Sequence, residues 1–243
     1  MYIIKLSAID STNSYLKELV SQNTVENLAV VWTTNQTNGR GQMGANWISE
    51  KDKNLTFSVL IKNMLHDSNK IFDLNVCVAV TLIEVLEKYK LVNLAIKWPN
   101  DILADKKKIS GVLIENSFKS TGEILSIVGI GINVNQDDFS GLPQASSLKK
   151  MTGLSWNVEE LLHLFLQQFE TNLEVFQNQA EGFFWDKYHQ YLFKRNQPAV
   201  FEMLDKTRFM GSIQEVTKNG LLSIKREDDT MEEFEVKSIK LLF

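Results

Sequence analysis

Four short segments of the chain carry side chains suited to chemistry. The first is Gly39-Arg40-Gly41-Gln42-Met43-Gly44. It matches the literal G-x-G-x-x-G pattern, but a dinucleotide site needs those glycines to open a helix that faces the pyrophosphate. Here Ala45-Asn46-Trp47-Ile48-Ser49-Glu50-Lys51-Asp52-Lys53 follows, then a strand, so no crossover helix fits. What remains is a loop carrying a cation. Its glycines let N–H groups approach an anion, and Arg40 adds a forked donor for phosphate or carboxylate. An ordinary glycine-rich surface turn would have the same composition, but a loop spanning Asn35–Gly44 is longer than most connections between strands, which favours function. The second segment is Lys97-Trp98-Pro99-Asn100-Asp101. Lys97 ends an otherwise apolar strand and requires an anionic partner, from protein or ligand, or suffers desolvation; the plain alternative is a Pro-Asn-Asp turn with a partly buried Trp98. The third, Lys106-Lys107-Lys108, has the composition of a solvated loop. It leads directly into Ile109-Ser110-Gly111-Val112, so Lys108 is the lysine placed to point into a site. The fourth, Gly129-Ile130-Gly131-Ile132-Asn133-Val134-Asn135, is either a place of close backbone packing or a glycine-floored pocket with Asn133 as donor and acceptor; the residues alone do not choose.

These segments need elements to position them. Tyr2–Ile9, Leu28–Thr34, Asn54–Ile61, Leu94–Trp98, Ile109–Phe118 and Glu123–Val134 have the pattern of strands, with a hairpin signal at Lys119-Ser120-Thr121-Gly122. Asp10-Ser11-Thr12-Asn13 offers N-caps to a helix carrying Tyr15, Leu16, Leu19 and Val20 at helical spacing. Asn69–Lys90 is expected to form a largely buried helix, and Asn157–Asn178 and Glu181–Phe193 two more. Beyond Arg195 only short strand-like pieces follow: Ala199–Leu204, Arg208–Val216, Leu221–Lys225 and Glu232–Leu242, with a tight turn at Lys218-Asn219-Gly220. The fold class is α+β: a mixed sheet with packed helices over residues 1–194, then a small five-stranded barrel over 195–243.

Composition bounds the possibilities. The chain has 243 residues, 44% hydrophobic and 23% charged, which supports a sizeable core and excludes disorder as the main state. Its formal net charge of −4 gives no overall pull toward nucleic acid or anionic membrane. The apolar stretch around Leu74–Leu86 is broken by Asn75, Thr81 and Glu84 and is too short to span a bilayer, and the N-terminus shows no signal-peptide pattern. The one cysteine, Cys77, can form neither an internal disulfide nor a Cys-based zinc site, and points to a reducing cytoplasm. His66, His163 and His189 share no metal-ligand spacing. Glu159-Glu160 and Glu232-Glu233 are expected to be solvated; Trp156 and Phe183-Phe184-Trp185 are expected in the core.

Taken together, Asp10-Ser11-Thr12-Asn13, Gln36 with Gly39-Arg40-Gly41, Lys97-Trp98-Pro99-Asn100-Asp101, Lys108-Ile109-Ser110-Gly111-Val112-Leu113-Ile114-Glu115 and Gly129–Asn133 stand in the order and spacing of the biotin protein ligases, the biotin–[acetyl-CoA-carboxylase] ligases. The resemblance covers roughly residues 5–240. It implies a catalytic domain like that of class II aminoacyl-tRNA synthetases and biotin ligases, with an SH3-like C-terminal barrel. It implies that biotin and ATP, with Mg²⁺, give biotinyl-5′-AMP, which then acylates one lysine of a biotin carboxyl carrier domain of acetyl-CoA carboxylase or another biotin-dependent carboxylase. By the same resemblance, Ser11, Thr12, Asn13 and Gln36 would hold the biotin head group, and Gly111 would allow its close approach. Gly39, Arg40, Gly41 and Gln42 would form the loop that closes on biotin and adenylate. Lys108 would meet the carboxylate or phosphate, and Lys97 the phosphates. Trp47, Asn100 and Asn133 would contact the nucleotide, with Trp47 near the adenine. Asp101 would help place the metal or the acceptor lysine; no metal-ligand set is identified. Many members read Gly-Arg-Gly-Arg where this chain has Gln42, so one loop cation is missing. The catalytic part begins near residue 5, so the chain resembles the type without a DNA-binding domain, a cytoplasmic monomer or homodimer with no nucleic-acid or membrane partner.

Three other classes are weighed against this. Lipoate ligases and octanoyltransferases share the superfamily, but the latter use a cysteine nucleophile and Cys77 sits in an apolar helix. A non-catalytic binding protein would exchange no pyrophosphate. A DNA-binding repressor is opposed by the net charge and by the lack of an N-terminal module.

Overall fold

A computed structural model describes every residue except 66, 68, 69, 121, 179 and 180. His66, the expected helix start at Asn69 and Thr121 of the expected hairpin turn lie outside the described residues. Seven strands form a mixed sheet: β1 (Ile3–Leu6), β2 (Val30–Thr33), β5 (Leu55–Leu65), β6 (Ala95–Lys97), β7 (Asp101–Ala104), β8 (Lys107–Phe118) and β9 (Ile124–Ile132). Their order is β1-β2-β5-β9-β8-β7-β6, with β1 and β2 parallel and the other neighbours antiparallel. β9 is buried on both faces, as is β5 through Ile61, because helices or loops cover this central part of the sheet on both sides.

Helices cover those faces. On one side lies α1 (Thr12–Gln22), whose Leu16 is buried with Val31, Leu60, Leu125 and Ile127. On the other lie α2 (Ile71–Glu87), α4 (Val158–Gln177) and α5 (Glu181–Tyr191). α2 is apolar nearly all round because it is sandwiched between the sheet and its fellow helices. Cys77 is fully buried there, and desolvation pushes its thiol well above the ordinary range, which suits a core residue and not a nucleophile. Among the described residues no helix is long and apolar enough to cross a membrane.

The C-terminal region forms an antiparallel sheet of β10 (Pro198–Met203), β11 (Arg208–Val216), β12 (Leu222–Arg226), β13 (Met231–Phe234) and β14 (Ile239–Leu242), ordered β13-β12-β11-β10-β14. It has the five strands of an SH3-like unit. The expected barrel is corrected to an open sheet, because its edge strands β13 and β14 do not pair with each other. The single strand expected over Glu232–Leu242 is two strands. Lys237 takes φ +66° and Ser238 N donates to Glu235 O at 3.1 Å, so the chain turns there.

Other departures have local causes. The first strand ends at Leu6, and the backbone then pairs again further on, Ile9 N donating to Asn35 O at 3.1 Å. Asp101 is the first residue of β7, paired with Lys97 across a hairpin, and not the last of a loop. A short helix, α3 (Leu148–Thr152), is capped by Ser147 and stopped by Gly153 at φ 75°. Phe183 is 52% exposed while its neighbours Phe184 and Trp185 are buried, so that aromatic run is core at two positions and surface at one.

One buried cluster runs from the large sheet through α2, α4 and α5 into Phe201, Ile213 and Phe234 of the C-terminal sheet. The turn between β11 and β12 docks this sheet. Trp98 Nε1 donates to Gly220 O at 2.9 Å, the Lys218 ammonium lies 4.7 Å from the Trp185 ring centroid, and Arg195 Nε donates to Gln214 O at 2.7 Å. Gly220 holds φ +82°, and a Cβ there would lie 2.4 Å from Phe72 Cδ2. Left-handed backbone costs a residue with a side chain about 1–2 kcal/mol before any clash. Gly220→Ala is therefore expected to destabilise the protein by at least that amount in denaturant unfolding; an unchanged midpoint would mean that the turn does not hold the sheet.

Candidate functional site

A cleft of about 310 Å³ opens between the large sheet and the C-terminal sheet. Its apolar floor depends on glycines. Gly111 of β8 and Gly131 of β9 are directly paired across the ladder. A Cβ on Gly131 would lie 2.4 Å from Trp47 Cε2, and one on Gly111 3.2 Å from Trp47 Cζ3. The Trp47 indole thus lies flat against bare backbone, and its buried Nε1 has no hydrogen-bond partner among the described residues.

At one end of the floor the first turn of α1 supplies a polar cluster. Ser11 is the N-cap, its Oγ accepting from Ser14 N, and Ser11, Thr12 and Asn13 are each 3% exposed, so their polar atoms need partners within the protein or the cleft. Thr12 N donates to Gln36 Oε1 at 3.0 Å. Ser58 Oγ lies 2.7 Å from Thr12 Oγ1 and 2.6 Å from Asn13 Oδ1. Asn13 Nδ2 donates to Glu115 Oε2 at 2.8 Å. Gly129 is what admits this side chain, since a Cβ there would lie 2.2 Å from Asn13 Oδ1.

The segment around Arg40, expected as an open loop, is a small hairpin of β3 (Gly39–Arg40) and β4 (Asn46–Trp47) closed by a 3₁₀ turn at Gln42–Gly44. Met43 reaches φ 51° in that turn, and Lys237 Nζ donates to its carbonyl at 2.6 Å. Arg40 Nη2 donates to Glu115 Oε2 at 2.9 Å. A Cβ on Gly39 would lie 2.4 Å from Trp47 O, so Gly39 sets the closeness of the two strands without itself lining the cleft.

Opposite the polar cluster the wall is cationic. Lys97, Lys108, Lys237 and Lys240 line it with Asp101. Lys108 Nζ lies 2.6 Å from Asp101 Oδ1, and Lys97 Nζ 4.0 Å from Asp101 Oδ2. The anionic partner that Lys97 requires is therefore Asp101. Burial nonetheless holds the Lys97 ammonium below the ordinary lysine range, with Lys108 and Lys240 pushing the same way and Asp101 opposing. Of the three consecutive lysines, Lys108 lines the cleft, while Lys107 turns to Pro143 O at 2.6 Å.

Ser11, Thr12, Asn13, Gln36, Arg40, Gly41, Gln42, Trp47, Lys97, Asn100, Asp101, Lys108 and Gly111 all line this one cleft. Asn133 does not: its Nδ2 donates to Ser146 O at 3.0 Å and the residue is 4% exposed. Ser58, Lys237 and Lys240 carry no signal in the sequence that would single them out, and Glu115 stands only as the last residue of the Lys108–Glu115 motif, with no role attached; pairing across the sheet and the return of β14 bring them here. Among the described residues no three His, Cys, Asp or Glu gather as a metal site. Asp101 is the one carboxylate among the described residues that line the cleft, and Lys108 and Lys97 pair with it.

The biotin/lipoate A/B protein ligase family model matches residues 6–135. The chain belongs to this family. Within the family it is 35% identical over 140 residues to the bifunctional ligase/repressor BirA of Bacillus spizizenii, which is 57% of this chain and 42% of that protein. It is 28% identical over 176 residues to the biotin–[acetyl-CoA-carboxylase] ligase of Paracoccus denitrificans, 68% of this chain and 70% of that one. The chain thus spans less than half the length of the Bacillus relative. Among solved structures it resembles the biotin protein ligase of Aquifex aeolicus in complex with biotin and ATP, with a TM-score of 0.81 and 28% identity over 99% of this chain and 98% of that one.

For this member of the family, the geometry makes Gly129 indispensable. Gly129→Ala is expected to displace Asn13 and to cost about 1–3 kcal/mol in unfolding free energy, the usual range for overpacking. Wild-type stability together with an unmoved Asn13 amide resonance would show that the site yields freely.

Proposed function

We propose that this chain is a biotin protein ligase, activating biotin with ATP and transferring it to a lysine of a biotin carboxyl carrier domain. The observation that carries this reading is a single cleft with a glycine floor, a donor–acceptor cluster at one end and Arg40, Lys97 and Lys108 along the rest. The ureido head of biotin needs both donors and acceptors, which Ser11, Thr12, Asn13 and Gln36 supply. Its valeryl chain needs an apolar wall, which Trp47, seated on Gly111 and Gly131, supplies.

In the first half-reaction a biotin carboxylate oxygen bonds to the α-phosphorus of ATP and the bond to the β-phosphate oxygen breaks, releasing pyrophosphate. Negative charge accumulates on the α-phosphate oxygens, so cations fixed in advance lower the barrier. Lys108, oriented by Asp101, faces the carboxylate and α-phosphate; Arg40 closes over them with Gly41 and Gln42; Lys97 faces the phosphates. Mg²⁺ arriving with ATP would supply charge neutralisation at the pyrophosphate, with Asp101 as the carboxylate that would hold it. In the second half-reaction a neutral lysine amine of the carrier attacks the acyl carbon, AMP leaves with the bonding pair, and the amine loses a proton. Trp47 and Asn100 border the nucleotide. The Asn133 amide is taken by Ser146, so its support for the nucleotide comes through the shape of the β9 end.

Residues 1–194 hold the site, and residues 195–243 form the unit that closes it with Lys237 and Lys240. With one buried cysteine and Mg·ATP as its fuel, the enzyme works in the cytoplasm.

Exchange of labelled pyrophosphate into ATP tests this reading: it is expected with biotin and absent with lipoate or with neither, and exchange driven by lipoate instead would overturn it. Lys108→Ala is expected to slow exchange by roughly 10²–10³-fold, the usual loss for one preorganised donor, whereas Lys106→Ala stays within about threefold; equal losses would remove Lys108 from the chemistry. Because the Lys97 proton is held less tightly than an ordinary lysine's, activity that needs its charge should fall on the alkaline side below the usual lysine range near 10.4. Lys97→Arg, which stays charged, should move that limb upward, and an unmoved limb would assign it to another group.

A further inference from the structure

We infer that Glu115 is the positioning residue of this site, aiming Arg40 and Asn13 with one carboxylate oxygen. Glu115 stands on β8, outside the lining of the cleft. Its Oε2 accepts from Asn13 Nδ2 at 2.8 Å and from Arg40 Nη2 at 2.9 Å. Asn13 belongs to the first turn of α1 and Arg40 to the β3–β4 hairpin, elements that share no other side-chain hydrogen bond at these two residues among the described ones. The carboxylate is therefore the tie between the polar cluster and the closing hairpin. A chain of polar contacts runs Gln36–Thr12–Ser58–Asn13–Glu115–Arg40, from the deep end of the cleft to its rim.

The geometry gives the tie a direction. Arg40 is held through one terminal nitrogen only, so its remaining N–H donors stay available to an anion in the cleft. Asn13 gives its amide protons to Glu115 and to Leu113 O, the latter at 3.3 Å, which fixes the amide orientation and leaves Oδ1 facing Ser58. With side chains 42% and 26% exposed, the Arg40–Glu115 pair adds little stability. Its consequence is orientation: Glu115 sets where the guanidinium points.

This role rests on the ligase reading, so the experiment separates the two. Wild-type protein must first exchange pyrophosphate with biotin; if it does not, the ligase reading fails and this role fails with it. Given exchange, Glu115→Gln keeps an acceptor for Asn13 but loses the charge that holds Arg40, and is expected to lower kcat roughly three- to tenfold with little change in KM for biotin. Glu115→Ala removes both contacts and should lower kcat and raise KM together. In an Arg40→Ala background, Glu115→Gln should have no further effect on kcat. A Glu115→Gln loss that adds fully onto Arg40→Ala, a Glu115→Ala variant with wild-type constants, or a Glu115→Gln variant with raised kcat would each overturn the assignment. Unfolding midpoints measured alongside distinguish a kinetic loss from a fall in folded protein.

Discussion

The structure depends on two places where a side chain cannot stand and a third where one would be tight. Gly111, Gly129 and Gly131 face the cleft from the two longest-paired strands of the sheet, and a Cβ at Gly129 or Gly131 would penetrate Asn13 or Trp47 at well under contact distance. Removing those side chains does two things. It gives the first turn of α1 a seat against the sheet, so Ser11, Thr12 and Asn13 point inward while Leu16, one turn on, remains in the core. It also seats the Trp47 indole against bare backbone beside the cations. A strand interior loses packing and entropy with every glycine, and β9 tolerates them because its other residues are buried on both faces.

Electrostatics then works against the composition. A chain of net charge −4 gathers Arg40, Lys97, Lys108, Lys237 and Lys240 around one cleft. Uncompensated, they would repel one another; the depressed Lys97 proton affinity comes first from burial, and Lys108 and Lys240 add to it. Asp101 lies between Lys97 and Lys108, and Glu115 holds Arg40. Neither carboxylate neutralises the site. Partly exposed pairs of this kind contribute at most about 1 kcal/mol to stability, so their consequence is orientation: each cation keeps donors free while its own position is fixed before any anion arrives. Preorganisation of that kind is the main route by which a protein stabilises accumulating charge.

How much of this the sequence discloses follows from the range of each interaction. Lys97 in an apolar strand, the glycines of β9 and the capping run before α1 are local signals, and each marks residues that converge on the cleft. Cys77 is legible as core because its whole helix is apolar. The strand at Asp101–Ala104 is not legible, since its only short-range mark is the Pro-Asn-Asp turn that precedes it. The β3–β4 hairpin holds only two residue pairs, too few for an alternation pattern. Barrel closure is a question of whether β13 meets β14, and no local propensity encodes it. Asn133 has the right type and spacing for a ligand contact, but its amide is used by Ser146, thirteen residues along the chain. Glu115 closes the Lys108–Glu115 motif, but its role is set by partners that lie 75 and 102 residues away.

The same long-range logic explains why a small sheet is appended to a fold that already has a core. Trp98 sits inside the Lys97–Asp101 turn, and its indole N–H is used by Gly220 of the C-terminal sheet. The turn that carries two charged residues of the cleft is thus braced from the far side, while Lys237 reaches the hairpin carrying Arg40. An exposed lysine–carbonyl bond is individually weak, about 1 kcal/mol. It links two segments that would otherwise be joined only through the large sheet, and the buried cluster running into Phe201 and Ile213 prevents that link from slipping. The C-terminal sheet is accordingly part of the cleft's wall: it constrains the separation between the lysine-bearing turn and the arginine-bearing hairpin, and that separation decides whether both cations can reach one anion.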